Sequence, residues 1–189
     1  MTEIKLKKWQ HNQQPLSDIK ETYYNSFPPE ERRLWSSIEQ LLSQNSSPYN
    51  IYLIFANCAM VGFISYWEFD EFCYIEHFAV DQTLRSQGIG TNAIKNFLMQ
   101  QTKPTILEVE LAHCGAVAQR RIAFYQRCGF TAHPHFEYIQ PSYGEYIQPS
   151  YGENLPPVPL MLMSAGNLRD ISLTSIADTL HRIVYNLKK

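Results

Sequence analysis

Arg85-Ser86-Gln87-Gly88-Ile89-Gly90-Thr91 is the stretch that decides how this chain folds. Before it, Phe72-Cys73-Tyr74-Ile75-Glu76-His77-Phe78-Ala79-Val80 is aromatic and β-branched, and short enough for one buried strand. After it, Ile89, Ala93, Ile94, Phe97 and Leu98 recur at helical spacing. The order is therefore strand, polar loop, two glycines, helix. Glycines let backbone approach a ligand closely, and a helix start leaves several N–H groups unpaired. Those donors and the positive dipole end suit a phosphate, with Arg85 adding charge at the lip. The stretch reads as a pyrophosphate cradle.

A rival fits the same letters. Gly88-Ile89-Gly90-Thr91-Asn92-Ala93 matches the dinucleotide fingerprint G-x-G-x-x-A, and Glu108 lies twenty residues beyond Gly88. That fingerprint needs the strand to run almost straight into its first glycine. Here seven mostly polar residues, 81–87, intervene between Val80 and Gly88. The nicotinamide reading is set aside on that spacing.

The loop is similar to the signature of the GNAT family of N-acetyltransferases, a Gln/Arg-x-x-Gly-x-Gly/Ala loop between the fourth strand and third helix. Arg85, Gly88 and Gly90 occupy its defining positions. A second block, Arg121-Ile122-Ala123-Phe124-Tyr125-Gln126-Arg127-Cys128-Gly129-Phe130, resembles the family's helix that ends in a tyrosine followed by Gly-Phe. The resemblance spans roughly residues 4–165. It implies an α/β (α+β) fold: a mixed, mostly antiparallel sheet flanked by helices and splayed around acetyl-CoA. The implied domain covers 1–165, with an added C-terminal helix in 166–189 packed on it. The implied activity is direct acetyl transfer to a primary amine of a small molecule or peptide. A catalytically silent acyl-CoA sensor or interaction module on the same fold is the rival from another class.

Composition agrees with one ordinary domain: 189 residues, 44% hydrophobic, 18% charged, net charge −2. That charge argues against broad nucleic-acid or anionic-membrane binding. Cys58, Cys73, Cys114 and Cys128 show no C-x-x-C spacing and read as reduced thiols. His11, His77, His113, His133, His135 and His181 form no metal-ligand pattern with acids or cysteines. Residues 51–67 are the one apolar run of near-spanning length, but Asn57-Cys58-Ala59 divides them into a hairpin. No signal peptide is visible at the start, and the expectation is a cytoplasmic protein that needs no metal.

Taken in order, residues 3–8 suggest a first strand. Leu16, Ile19 and Tyr23 make a helical face after Pro15, and a second helix is expected from Glu30-Glu31 through Leu42. Residues 105–111 alternate as a strand. Residues 116–127 make a helix stopped by Gly129. Two last strands are expected at 133–139 and 158–164, with His133-Pro134-His135 an exposed strand pair. Between them Glu137-Tyr138-Ile139-Gln140-Pro141-Ser142-Tyr143-Gly144 recurs unchanged as residues 145–152. This reads as a local duplication in which one copy extends a strand and the surplus bulges outward. Tyr138, Tyr143, Tyr146 and Tyr151 are candidates for an aromatic wall around a cationic acceptor. Leu173, Ile176, Ala177, Leu180, Ile183, Val184 and Leu187 form one apolar stripe, read first as core packing and second as a homodimer contact.

Acyl transfer to an amine needs a base, a proton donor for the leaving thiolate, and N–H donors for the carbonyl oxygen. The resemblance makes Tyr125 the general acid. Glu76 is the first candidate base, on the strand before the loop and on the opposite face from Ile75 and His77. Glu108, Glu110 and a water relay stay open as alternatives. His77 reads as a packed, hydrogen-bonded histidine. By the same resemblance Phe78, Ala79 and Val80 offer main-chain groups to the pantetheine arm and acetyl oxygen, while Arg85, Ser86, Gln87, Gly88, Ile89, Gly90 and Thr91 wrap the pyrophosphate.

Overall fold

The computed structural model describes residues 2–10, 16–141, 158–168 and 170–186. Along the chain the elements are β1 (Ile4–Lys8), α1 (Ser17–Ser26), α2 (Trp35–Ser43), β2 (Tyr49–Ala56), β3 (Ala59–Glu68) and β4 (Cys73–Val80). There follow α3 (Ile89–Gln100), β5 (Thr105–Glu110), α4 (Ala116–Cys128), β6 (Thr131–Ala132), β7 (Tyr138–Gln140), β8 (Val158–Ala165) and α5 (Leu173–Thr179). A wider π turn, Leu180–Val184, continues α5.

The sheet runs β1-β2-β3-β4-β5-β8, and β6 and β7 share the far edge of β8. Among the described residues only β4 and β5 are parallel, so the sheet is mixed and mostly antiparallel. The β2–β3 hairpin closes through Asn57 and Cys58, both at positive φ (49° and 71°), the twist that a two-residue hairpin favours. Each face of the sheet carries its own core. Helices α1, α2 and α5 cover one, against Leu53, Phe63, Trp67, Tyr74 and Ile106. Helices α3 and α4 cover the other, against Ile64, Ile75, Leu107 and Met163.

Three expectations need correction. The second helix begins at Trp35, not Glu30: Pro29–Glu31 is a single 3-10 turn and Arg32 to Leu34 are extended. Extension lets the Arg33 N–H bond the Tyr23 hydroxyl (2.7 Å) and sends the Arg33 side chain inward. The strand expected at 133–139 is largely absent: β6 ends at Ala132, residues 133–137 are not strand, and β7 starts only at Tyr138. Pro134 has no N–H to pair, and the chain turns with Phe136 N–H on His133 O (3.2 Å). The C-terminal stripe packs through Ile176, Ala177, Leu180 and Val184, but the π turn rotates Ile183 outward, where it is 38% exposed. Leu187 lies outside the described residues. The first duplicated copy supplies β7, while Tyr143, Tyr146, Tyr151 and the whole second copy lie outside them.

Candidate active site

The parallel pairing of β4 with β5 covers Cys73↔Thr105, Tyr74↔Ile106 and Ile75↔Leu107, then stops. Beyond it β4 stays paired to β3 and β5 to β8, so the two strands part and leave a fork. Glu76 and Glu108 are the first residues past the crotch, one on each prong.

The loop leading to α3 sits at the far end of β4. Asp81 Oδ1 accepts from Thr83 N–H (2.8 Å) and its hydroxyl (2.7 Å), bending the chain into a turn at once. Ser86 and Gly88 then take positive φ, 65° and 77°. A serine there is strained. Such alternation aims successive N–H groups into a shared concavity. Among the described residues no protein group accepts from the main-chain N–H of residues 86–91, and the first N–H of α3 that is taken belongs to Asn92, by Gly88 O (3.0 Å). Arg85 to Gly88 are exposed.

Tyr125 stands on the same face as this loop, in the last turn of α4. Gly129 at φ 106° turns the chain so that Phe130 N–H bonds Tyr125 O (3.0 Å) and the Phe130 ring lies 5.6 Å from that of Tyr125. The Tyr125 hydroxyl has no hydrogen-bond partner among the described residues. Burial pushes its pKa upward, so it stays protonated. Phe124 packs instead on Phe78, rings stacked 6.1 Å apart.

Glu76 is placed differently from the expectation. Ser65 faces His77 and Tyr66 faces Ile75, so Glu76 is an extra residue in β4, a bulge. Simple alternation is broken. Glu76 and His77 both turn to the α1/α2 face, and only Ile75 stays opposite. The Glu76 side chain is wholly buried. Its Oε1 accepts from Arg33 Nε (2.7 Å) and its Oε2 from Trp67 Nε1 (2.9 Å). Burial opposes its charge, but Arg33 and these bonds outweigh that and hold its pKa below the ordinary carboxylate value. A carboxylate so engaged is a weak base. The residue as a whole is still partly accessible, so its accessible atoms are those of the main chain at the bulge.

His77 is packed and satisfied. Glu31 O can only accept, which assigns the proton to Nε2 (3.2 Å) and makes Nδ1 the acceptor for Ser65 Oγ (3.1 Å). Burial lowers its pKa, consistent with a neutral ring.

On the other prong, Glu108 Oε2 accepts from Tyr74 OH (2.9 Å), Tyr185 OH (2.7 Å) and Gln140 Nε2 (2.7 Å), while Oε1 accepts from Tyr138 OH. Burial drives the Glu108 pKa up, and the four donors only partly offset this. Glu110 pairs with Arg121 of α4 instead. Among the described residues no group of three or more His, Cys, Asp or Glu could hold a metal, and no helix is long and apolar enough to cross a membrane.

The model of the Acetyltransferase (GNAT) family matches residues 13–130. The chain belongs to the GNAT acetyltransferase family. A solved GNAT-family chain from Bacteroides thetaiotaomicron, assigned as an acetyltransferase, is similar at 36% identity over 91% of this chain and 92% of its own, with a TM-score of 0.80. YjbC of Bacillus subtilis, also assigned as an acetyltransferase, is 30% identical over 115 residues, 60% of this chain and 54% of YjbC, so the match spans about half of that relative. A GNAT acetyltransferase from Elizabethkingia anophelis, solved with acetyl-CoA bound, shares the fold at 17% identity and a TM-score of 0.57, covering 87% of this chain and 98% of its own.

Within this GNAT chain the structure puts the glycine loop and Tyr125 on the α3/α4 face and both glutamates on the opposite face of one fork. Sequence reasoning missed Arg33, Tyr74, Gln140 and Tyr185. Each acts on a glutamate 32 to 77 positions away, or 43 for Arg33, and no local pattern signals that.

Proposed function

We propose that the protein transfers the acetyl group of acetyl-CoA to a primary amine carried by a small molecule or peptide. The observation that carries this is the open fork, flanked at one end by unbonded amides at 86–91. Bound acetyl-CoA would supply an activated acyl group as its thioester. The main chain of Ser86, Gln87, Gly88, Ile89, Gly90 and Thr91 holds the diphosphate by N–H donation, and Arg85 adds charge from outside. Phe78, Ala79 and Val80 present main-chain groups along the unpaired edge of β4 to the pantetheine arm and carbonyl oxygen. Tyr125 donates a proton to the departing sulfur, for which a neutral, otherwise unbonded phenol is suited. Glu76 is a positioning residue in this scheme: tied to Arg33 and Trp67, it fixes the bulge that turns the β4 backbone toward the fork. Placement of both reactants can itself supply ~7–11 kcal/mol of the barrier.

The test is acetyl-CoA with a panel of amines, following free thiol and melting temperature together. Acetyl-CoA at about a hundred times its Kd adds ~2.7 kcal/mol by mass action, several degrees of Tm. Thiol release with at least one amine is expected. A melting shift with no turnover for any amine would instead support the acyl-CoA sensor.

Two variants sharpen it. Gly88→Val forces a β-branched residue into left-handed backbone, roughly 1–2 kcal/mol or more, although a Cβ there meets no atom within 4 Å. Loss of the acetyl-CoA melting shift is expected, and a full shift contradicts the cradle. Tyr125→Phe should lower kcat roughly 10²-fold with little change in the acetyl-CoA shift. Undiminished turnover removes the acid assignment.

A further inference from the structure

The π turn after α5 lies across one face of the fork. Past Thr179 the helix widens, and Tyr185 N–H bonds Leu180 O (3.1 Å), five residues back instead of four. Single π turns are rare and recur at functional sites. This one turns Val184 and Tyr185 inward together, and Asn186 ends it at φ 53°. Val184 O accepts from Arg33 Nη2 (2.6 Å), the same guanidinium that holds Glu76. The Tyr185 hydroxyl donates to Glu108 Oε2 (2.7 Å), accepts from Gln140 Nε2 (2.7 Å) and lies 3.1 Å from that of Tyr74. His181 Nε2 donates to Ile139 O (3.0 Å), and its ring stacks 5.4 Å from that of Tyr138. Residues 180–186 are thus fastened to β4 through Arg33 and Glu76, to β5 at Glu108, and to β7.

These contacts close the face opposite the glycine loop and Tyr125. The Glu76 side chain is wholly buried there, and Arg33, Tyr74, Val184 and Tyr185 are buried with it. A donor held along the glycine loop leaves this face to the acceptor, so an acceptor that enters here has to displace something. The groups around the opening are not equally able to move. Strands β4 and β5 are locked into ladders with β3 and β8. Residues 180–186 belong to no ladder, and they lie beyond residue 130, where the family match ends. Their grip on the fork consists of hydrogen bonds that water can replace at small net cost. Segments held in this way are the ones that open locally while the rest of a domain stays folded.

We propose that residues 180–186 form a strap over the acceptor face of the fork, and that the acceptor enters only when the strap lifts about the junction of α5 with the π turn, at Thr179 and Leu180. The inference rests on the acetyl-transfer reading above and adds the regulation of that site. Only hydrogen bonds and side-chain packing are broken in the opening. Because the closed strap occupies the acceptor's place, the apparent acceptor affinity is reduced by the fraction of molecules that are open. An acceptor that binds only the open form draws the population toward it. It therefore loosens the strap while stabilising the protein as a whole, whereas a ligand bound beneath a fixed strap would tighten it. Acetyl-CoA, held on the other face, does neither.

The experiment measures amide hydrogen exchange by mass spectrometry on the full chain, parent and Tyr185→Phe, alongside turnover of spermidine, propane-1,3-diamine, phenethylamine and a lysine-containing peptide. In the parent the amides of 180–186 should exchange at least tenfold faster than those of β3. Any amine that is acetylated should speed that exchange further, and acetyl-CoA alone should leave it unchanged. Tyr185→Phe removes the hydroxyl that reaches Glu108, Gln140 and Tyr74. It should speed strap exchange at least tenfold and lower the acceptor KM several-fold, with the acetyl-CoA melting shift retained. A purely structural tyrosine would leave that KM unchanged or raise it, and either result overturns the proposal. Strap amides that exchange as slowly as β3 overturn it too, as do strap amides that an acetylated amine protects. If Tyr185→Phe fails to fold, His181→Ala, which releases the strap from Ile139 O and Tyr138, is read by the same criteria. Turnover with a strap that never opens locally removes the gating alone. Acetyl-CoA binding with no amine turned over by parent or variant removes the acetyl-transfer reading, and the gating with it.

Discussion

Arg33→Met is expected to destabilise the protein by about 3–5 kcal/mol at neutral pH, because it leaves the wholly buried Glu76 carboxylate without its cation. In a chain of this size that is a fall of roughly 10 °C in Tm. Packing is nearly conserved, so the loss is electrostatic. The double variant Arg33→Met with Glu76→Leu should recover most of it, since an apolar pair of similar volume often replaces a buried ion pair without penalty. Acid provides a separate check. In the parent the folded pKa of Glu76 lies below its unfolded value. Its stabilisation is therefore complete above the ordinary carboxylate range and disappears as pH falls through the folded pKa. Without Arg33, burial becomes the dominant influence and raises the pKa, so the variant takes up a proton earlier and its deficit narrows on acidification. Glu108 works with the opposite sign. Its folded pKa is raised, so lowering the pH through that value toward the unfolded one adds stability in parent and variant alike and cancels in the difference. Urea denaturation from neutral pH down into the carboxylate range measures the gap. A gap that is constant with pH would show that Glu76 is not the residue Arg33 serves.

The parts of this fold that were legible in the sequence are those set by short-range periodicity. The alternation in β5, the helical spacing after Gly90 and the Gly129 stop each lie within a few residues of their cause. The fork is legible only indirectly. Nothing in Cys73-Tyr74-Ile75 distinguishes the paired part of β4 from the unpaired part that follows, because what ends the pairing is where β5 goes. The bulge was invisible for a related reason. An extra residue in one strand is defined by its partner, and the register change is shared with Ser65 and Tyr66. The start of α2 lies later than the sequence suggests because prolines followed by two acids, Pro28-Pro29-Glu30-Glu31, suit the first turn of a helix. A long-range demand overrides that preference: Arg33 has to reach Glu76 on β4 and Val184 O beyond α5. The two glutamates are legible only as candidate bases on neighbouring strands. Their different surroundings, one cationic and one phenolic, come from segments far away in the chain.

Gly62→Ala should do comparable damage by a different route, and it links the strand scaffold to the loop. Gly62 lies opposite Val80 in the β3–β4 ladder, immediately after Val61, the residue left over where Ile54 faces Gly62 and Phe55 faces Met60. A methyl group at Gly62 would sit 2.2 Å from Ala79 O and 3.0 Å from Val80 Cα. Those are main-chain atoms of the neighbouring strand, so no rotamer change relieves the contact and the end of β4 has to move. Overpacking of this kind costs about 3 kcal/mol, or roughly 6–12 °C in Tm. The displaced residues are also the ones that launch the loop, with Asp81 N–H held by Val61 O (2.8 Å) just before the turn toward Ser86. Acetyl-CoA stabilisation should therefore shrink along with Tm. Gly90→Ala is the control: its Cβ would come within 3.3 Å of the Phe78 ring tip, a side chain free to tilt away. That variant should melt within a few degrees of the parent. A Gly62→Ala protein that melts as the parent does and keeps the full acetyl-CoA shift would show that the end of β4 is not what holds the glycine loop in place.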